Sequence, residues 1–174
     1  MQNDAPQIDD RRLANRIAIV TEHIARENAH DLDGLLATFG DGARYDDAPW
    51  NDTRLGIDGV KSYYEELLQA LPDLSIEIIS QHNAAESIIV EVVIRATHLG
   101  SWRGLPATRK KIEFPLCGIY TFDDNDRLAG EHIYYDRGVV LGQLGLFREP
   151  TTTLGRLTAA LSHPVTILRA YLRL

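Results

Sequence analysis

Apolar residues recur at helical spacing through the first third of the chain and at strand spacing after it. Leu13, Ile17, Val20 and Ile24 lie three or four residues apart, with charged residues between them and Asp9 and Asp10 ahead as caps. That spacing predicts a first helix with one buried stripe. A short second helix is expected from Asp31 to near Gly40, with Leu32, Leu35, Leu36 and Phe39 inward. Residues 43–46 read as a brief strand, and the segment holding Pro49 and Trp50 as a loop. A third helix follows Gly56, with Ile57, Val60, Tyr64, Leu67, Leu68 and Leu71 as its apolar stripe. Pro72 stops it, because proline has no N–H to continue the ladder.

From Asp73 the period changes to two. Leu74, Ile76 and Ile78 alternate, and Ser87 to His98, Lys111 to Phe122 and Leu128 to Asp136 read as three further strands. The Asp-Asp-Asn-Asp run at 123–126 supplies turn chemistry between the last two. Helices first and strands afterwards is an α+β layout, in which a curved antiparallel sheet wraps a pocket. Gly138 to Leu144 reads as one more helical stretch. In the tail, Leu154, Leu157 and Leu161 form one turn set, and Pro164 opens another with Val165, Leu168, Tyr171 and Leu172. The expected division is a domain over 9–147 and a helical extension over 148–174; the first eight residues carry no periodicity.

Alternation also predicts which side chains face inward. Glu91 and Arg95 share one parity, which leaves Ile88, Val90, Val92, Ile94, Ala96 and His98 on the core side. Lys111 and Glu113 outward puts Ile112, Phe114, Leu116 and Tyr120 inward. In the last strand His132, Tyr134 and Asp136 share a parity opposite to Glu131, Ile133 and Tyr135, and the first set is taken as inward. A single β-bulge would invert such an assignment beyond it.

Composition narrows the function classes. The formal charge is −7, every acidic residue lies at or before Glu149, and Arg156, Arg169 and Arg173 lie after it. So acidic a body argues against nucleic acid, which needs a positive surface to release counterions. Arg109-Lys110-Lys111 is the one basic cluster and reads as a charged strand edge. Cys117 is alone, which rules out an intramolecular disulfide. The start of the chain lacks a cleavable leader pattern and no apolar run approaches ~18 residues, so a cytoplasmic location is expected. The tail could lie on a membrane, but packing against the domain or a partner subunit is the favoured expectation.

The stretch Glu131-His132-Ile133-Tyr134-Tyr135-Asp136, followed by Gln143-Leu144-Gly145, resembles the closing signature of the SnoaL-like family of polyketide cyclases. Gly104-Leu105-Pro106-Ala107-Thr108-Arg109 resembles that family's turn between two long strands. Gly59-Val60-Lys61-Ser62-Tyr63-Tyr64, leading to Leu71-Pro72-Asp73-Leu74, fits its helix. The resemblance covers residues 10 to 147 and implies the cone-shaped nuclear transport factor two-like fold, a sheet curled over three helices with a pocket opening into the cone. It implies a small hydrophobic molecule as partner, neither metal nor organic cofactor, and a homodimer. It also implies that the aspartate ending the last strand, here Asp136, serves as general acid/base. Fold alone does not fix function.

The implied chemistry is cyclisation by intramolecular aldol addition, or isomerisation, of a small carbonyl compound. Asp136 would take a proton from carbon and return it to oxygen, with His98 and His132 as neighbouring donors or orienting groups. The other reading of Asp136 is a cap on the helix that follows. Tyr45, Trp50, Trp102, Phe114 and Tyr134 are candidate pocket walls. Asp46 and Asp47 stand where cone folds often carry a pocket carboxylate, or else belong to a solvated loop. No HExxH spacing, GxSxG elbow or GxGxxG cradle is present, so no zinc site, serine nucleophile or dinucleotide site is expected. A non-catalytic ligand-binding or dimerising domain of the same fold is the alternative function.

Overall fold

The computed structural model describes residues 9–172; the expectations for the first eight residues and for Arg173 lie outside it. Helix α1 (Asp10–Asn28) opens on the Asp9 carboxylate, which accepts from the Arg11 N–H. Its buried positions are Arg16, Val20, His23, Ile24 and Glu27, so three polar residues share the stripe that packs inward. Helix α2 (Leu32–Leu36) is shorter than its apolar pattern suggests and is capped by Asp31, which accepts from Gly34 N–H at 3.0 Å. Strand β1 (Arg44–Asp47) leads through one 3-10 turn (Ala48–Trp50) into β2 (Asp52–Leu55), and α3 (Gly56–Ala70) follows. The meander is β3 (Ser75–Asn83), β4 (Ser87–Thr97), β5 (Lys111–Phe122) and β6 (Leu128–Tyr135). Helices α4 (Arg137–Gln143), α5 (Thr153–Ser162) and α6 (Pro164–Leu172) close the chain.

All strands join one six-stranded sheet in the order β2-β1-β6-β5-β4-β3. It is mixed, not purely antiparallel as expected, because β1 runs parallel to β6. Hairpin partners in the meander must alternate direction, whereas β1 reaches β6 from the far end of the chain and is free of that constraint. Strand β2, read from sequence as loop, pairs with β1 at the sheet edge, where its polar Asp-Thr-Arg sequence costs nothing.

The inner face of the sheet holds the core as alternation predicts for β4 and β5. Ile88, Val90, Val92, Ile94, Ala96, Ile112, Phe114 and Tyr120 are buried, and α3 adds Val60, Tyr63, Tyr64 and Leu67. Strand β6 departs from the expectation. Phe122 pairs with Leu128 but Thr121 pairs with Gly130, so Ala129 is an extra residue in a bulge. Past the bulge the parity inverts: Glu131 and Ile133 are buried, and Tyr135 faces inward with them.

The β4–β5 connection folds back over one end of the core. Leu99 and Gly100 N–H groups both donate to Ala70 O, at 2.9 and 3.0 Å. A Cβ on Gly100 would sit 2.1 Å from Gln69 O, so only glycine permits this approach to the end of α3. Trp102 and Leu105 then bridge each other, bringing Trp102 into the core. Leu154, Leu157, Leu161, Leu168 and Tyr171 of α5 and α6 are exposed. No described helix is long and apolar enough to cross a membrane.

Candidate active site

Between the inner face of the sheet, α1 and α3 lies a cavity with about 40 Å³ open to the centres of water molecules, above the ~10–15 Å³ that one water requires. Its walls are aliphatic (Leu67, Leu71, Val90, Val92, Ile94, Ile133) and aromatic (Tyr45, Tyr63, Trp102, Phe114, Tyr120, Tyr135). Only two carboxyls interrupt them, Glu27 from α1 and Glu131 from β6.

Those carboxyls belong to a buried polar cluster. His23 is fully buried, and Glu27 and Glu131 are 7% and 3% exposed. Tyr64 Oη donates to Glu131 Oε2 at 2.9 Å, and His23 Nε2 stands 3.3 Å from the same oxygen and 4.0 Å from Glu27 Oε2. The histidine tautomer follows from its other nitrogen. Thr38 Oγ1 spends its only proton on Leu35 O at 2.6 Å, so at 2.9 Å it accepts from His23 Nδ1–H. Nε2 is thereby aimed at the carboxyls. Burial, and then the charge of Glu131, pushes the Glu27 carboxyl well above the usual carboxylate range. Burial first, and the nearby carboxylates after it, also raises Tyr64 and Tyr120, which keeps both as neutral phenols. One atom each of His23, Glu27 and Glu131 lies within 4.8 Å of the others, so among the described residues this trio could hold a metal ion.

Because Glu27 is buried and no described residue hydrogen-bonds its carboxyl, Glu27→Leu should stabilise the fold by about 1–3 kcal/mol at neutral pH. Its folded pKa lies above its unfolded one, so wild-type stability falls as pH rises between the two values. The gain should therefore be smallest in acid and grow through that window. Urea unfolding of both proteins across pH measures it; a gain independent of pH would contradict the assignment.

Beside the cavity, a second cluster sits where β1 meets the β4–β5 connection. Asp47, fully buried, accepts from Tyr63 Oη at 3.1 Å and from Arg103 at 2.7 Å. Arg103 also pairs with Asp52, and Trp50 Nε1 donates to Tyr135 Oη at 2.7 Å. Burial pushes the Asp47 carboxyl up, and the Arg103 charge and the Tyr63 hydrogen bond pull it back. Asp47 Oδ1 and Arg103 Nε remain without partners.

The residues expected from sequence divide sharply. Tyr45, Trp102 and Phe114 line the cavity. Asp47 and Trp50 stand behind that wall, one hydrogen bond from Tyr63 and Tyr135 respectively. The β6 bulge corrects the expected orientation of the other strand residues: His132 pairs with Asp46 at 3.0 Å away from the cavity, and Tyr134 is exposed. Asp136 is exposed as well, and its carboxylate accepts from Gly138 N–H at 2.7 Å and Val139 N–H at 3.3 Å, capping α4. Asp136→Ala should therefore cost about 1 kcal/mol of stability, read as a lowered urea midpoint, with the cavity unchanged.

His98 is buried but does not line the cavity. Its Nδ1 accepts from Thr108 N–H at 3.3 Å, Nε2 has no partner, and burial holds its pKa below the ordinary histidine value. The cavity carboxyls escaped the sequence reading, although Val20, His23, Ile24 and Glu27 keep helical spacing and mark polar groups inside an apolar stripe.

Solved structures share this fold at low identity. A candidate SnoaL-like polyketide cyclase from Jannaschia sp. CCS1 superposes with a TM-score of 0.70 at 16% identity, over 80% of this chain and 97% of its own. TsrD from Streptomyces laurentii gives 0.68 at 18% identity, over 81% and 100%. SalBIII, an epoxide hydrolase/cyclase-like enzyme with a role in pyran ring formation in salinomycin, gives 0.62 at 18%, over 72% and 94%. No curated protein matches the chain. The family model for SnoaL-like polyketide cyclase matches residues 17–144, which span α1 to the end of α4, and the chain belongs to that family.

Proposed function

We propose that the chain is an acid/base enzyme that cyclises, by intramolecular aldol addition, or isomerises a small, largely apolar carbonyl compound. The observation that carries this reading is Glu131, a buried carboxyl in an otherwise mostly apolar cavity wall, held by Tyr64 and faced by His23. Glu131 takes a proton from the carbon next to a carbonyl, and the resulting enolate carbon attacks a second carbonyl of the same molecule. One carbon–carbon bond forms, and the new alkoxide takes the proton back, so the product is an isomer of the substrate. Tyr120, a buried neutral phenol on the cavity wall, is the donor available to the developing oxyanion. The apolar walls fold the chain so that the two carbons meet, which is where much of the rate arises. The cycle needs no metal or organic cofactor.

A heptanedione whose carbonyls flank three methylenes tests the proposal, since its aldol closure gives a six-membered hydroxyketone. Conversion above the buffer rate, followed by NMR, supports the proposal. Binding without conversion, across dicarbonyls of neighbouring chain length, favours a ligand-binding module instead.

A further inference from the structure

The proton cycle leaves Glu27 unused. Its carboxyl lines the cavity, is more than nine-tenths buried and has no hydrogen-bond partner among the described residues. The basic side chain nearest to it, His23 on α1, stands closer to Glu131, at 3.3 Å against 4.0 Å. None of the lining residues is Lys, Arg or His, and Arg103 beside the cavity is committed to Asp47 and Asp52. Tyr45 and Tyr120 line the same cavity as the two carboxyls, and Tyr64 reaches Glu131 at 2.9 Å, so aromatic rings surround the carboxyl pair.

A buried carboxyl whose nearest basic group lies closer to a second carboxyl, in a cavity with aromatic walls, is complementary to a cation with apolar substituents. An ammonium group meets both demands: it neutralises the carboxylate, and its polarised C–H and N–H groups sit well on aromatic faces. A divalent metal on His23, Glu27 and Glu131 is the competing occupant, since three protein ligands suffice for an open zinc site. We propose that the cavity takes a substrate carrying an alkylammonium group, with Glu27 as its counter-ion. This rests on the reading of the cavity as the substrate site, and it deepens that reading to an amino-carbonyl compound.

Binding of the cation holds Glu27 ionised and so releases a proton. The groups facing Glu27 that share this equilibrium are His23 on α1, Tyr45 on β1, Tyr64 on α3, Tyr120 on β5 and Glu131 on β6. Calorimetry of the full chain with isobutylammonium and with isobutanol, nearly isosteric, separates charge from shape. The expected result is at least tenfold tighter binding of isobutylammonium with net proton release, read by comparing buffers of different ionisation heat. In Glu27→Gln, which keeps the side-chain shape, that preference should vanish while isobutanol binds as before. Equal affinity for the two probes overturns the proposal, as does a preference that survives in Glu27→Gln. So does tight binding of zinc or manganese(II) chloride that excludes isobutylammonium. Diketone conversion without an amine preference removes this inference alone; an amine preference with no conversion of any dicarbonyl removes the acid/base reading alone.

Discussion

Glu131→Gln should lower turnover of a converted substrate at least 100-fold, about 2.7 kcal/mol of transition-state stabilisation, while leaving the fold intact. The amide oxygen can still accept from Tyr64 Oη, which donates to the carboxylate at 2.9 Å. The amide N–H can donate to His23 Nε2, which stands 3.3 Å from Glu131 and is free to accept because Thr38 holds the ring proton on Nδ1. The variant therefore keeps the shape and the hydrogen bonding and loses the negative charge, and with it the ability to take a proton. Steady-state kinetics with urea unfolding on the same preparations separates the two effects. Loss of activity with an unchanged midpoint supports Glu131 as base. Unchanged turnover places the base elsewhere, and a collapsed midpoint would mean that Glu131 holds the fold more than it serves chemistry.

Most of the fold was legible from sequence because burial in α3, β4 and β5 follows simple periodicity. Glu91, Arg95, Lys111 and Glu113 mark the outer face, and each neighbour of opposite parity falls where alternation puts it. The closing motif that resembles the family is also sound, since the family model ends at Leu144 inside it. The site was harder to read because one residue decides it. Leu128 is buried, and plain alternation from it carries His132, Tyr134 and Asp136 inward. The Ala129 bulge shifts that register by one and delivers Glu131 to the cavity instead. Nothing in the local composition announces the bulge, which arises from pairing with β5 and is therefore a tertiary fact.

A charged residue also biases the reading toward solvent, which is correct for most of them. Glu27 and His23 defeat that rule together with Glu131, because they face one another across the fold. The helical stripe of α1 held the warning, since His23 and Glu27 occupy positions that Val20 and Ile24 define as inward. Trp102 was found by its size, but the neighbouring Arg103 was not. Its role depends on a connection whose path is set by the approach of Gly100 to α3 and by a left-handed backbone at Arg103 itself, φ 52°.

That arginine carries the largest stability prediction. Arg103→Ala should destabilise the fold by about 3–5 kcal/mol at neutral pH, the cost of leaving a buried charge without its partner. Asp47 is fully buried, its Oδ1 already lacks a partner, and among the described residues Tyr63, at 3.1 Å, would be left as its side-chain hydrogen-bond donor. Asp52 is insulated from the loss because Arg54 Nε still donates to it at 2.8 Å. The deficit must depend on pH in a definite direction. Burial holds the Asp47 pKa above the ordinary aspartate value even with Arg103 in place, and removing the cation raises it further. Below the unfolded pKa both proteins carry a protonated Asp47 and the variant loses only contacts. As pH rises toward the variant's folded pKa, the variant retains a proton that its unfolded chain releases, and the deficit grows. Urea unfolding from about pH 4 to about pH 7 should show that growth, and Asp47→Asn on top of Arg103→Ala should recover most of it. A deficit that is flat with pH, or not rescued by Asp47→Asn, would mean that Arg103 stabilises through its packing on Trp50 and Tyr63, 5.6 and 5.5 Å from the ring centres, and not through charge.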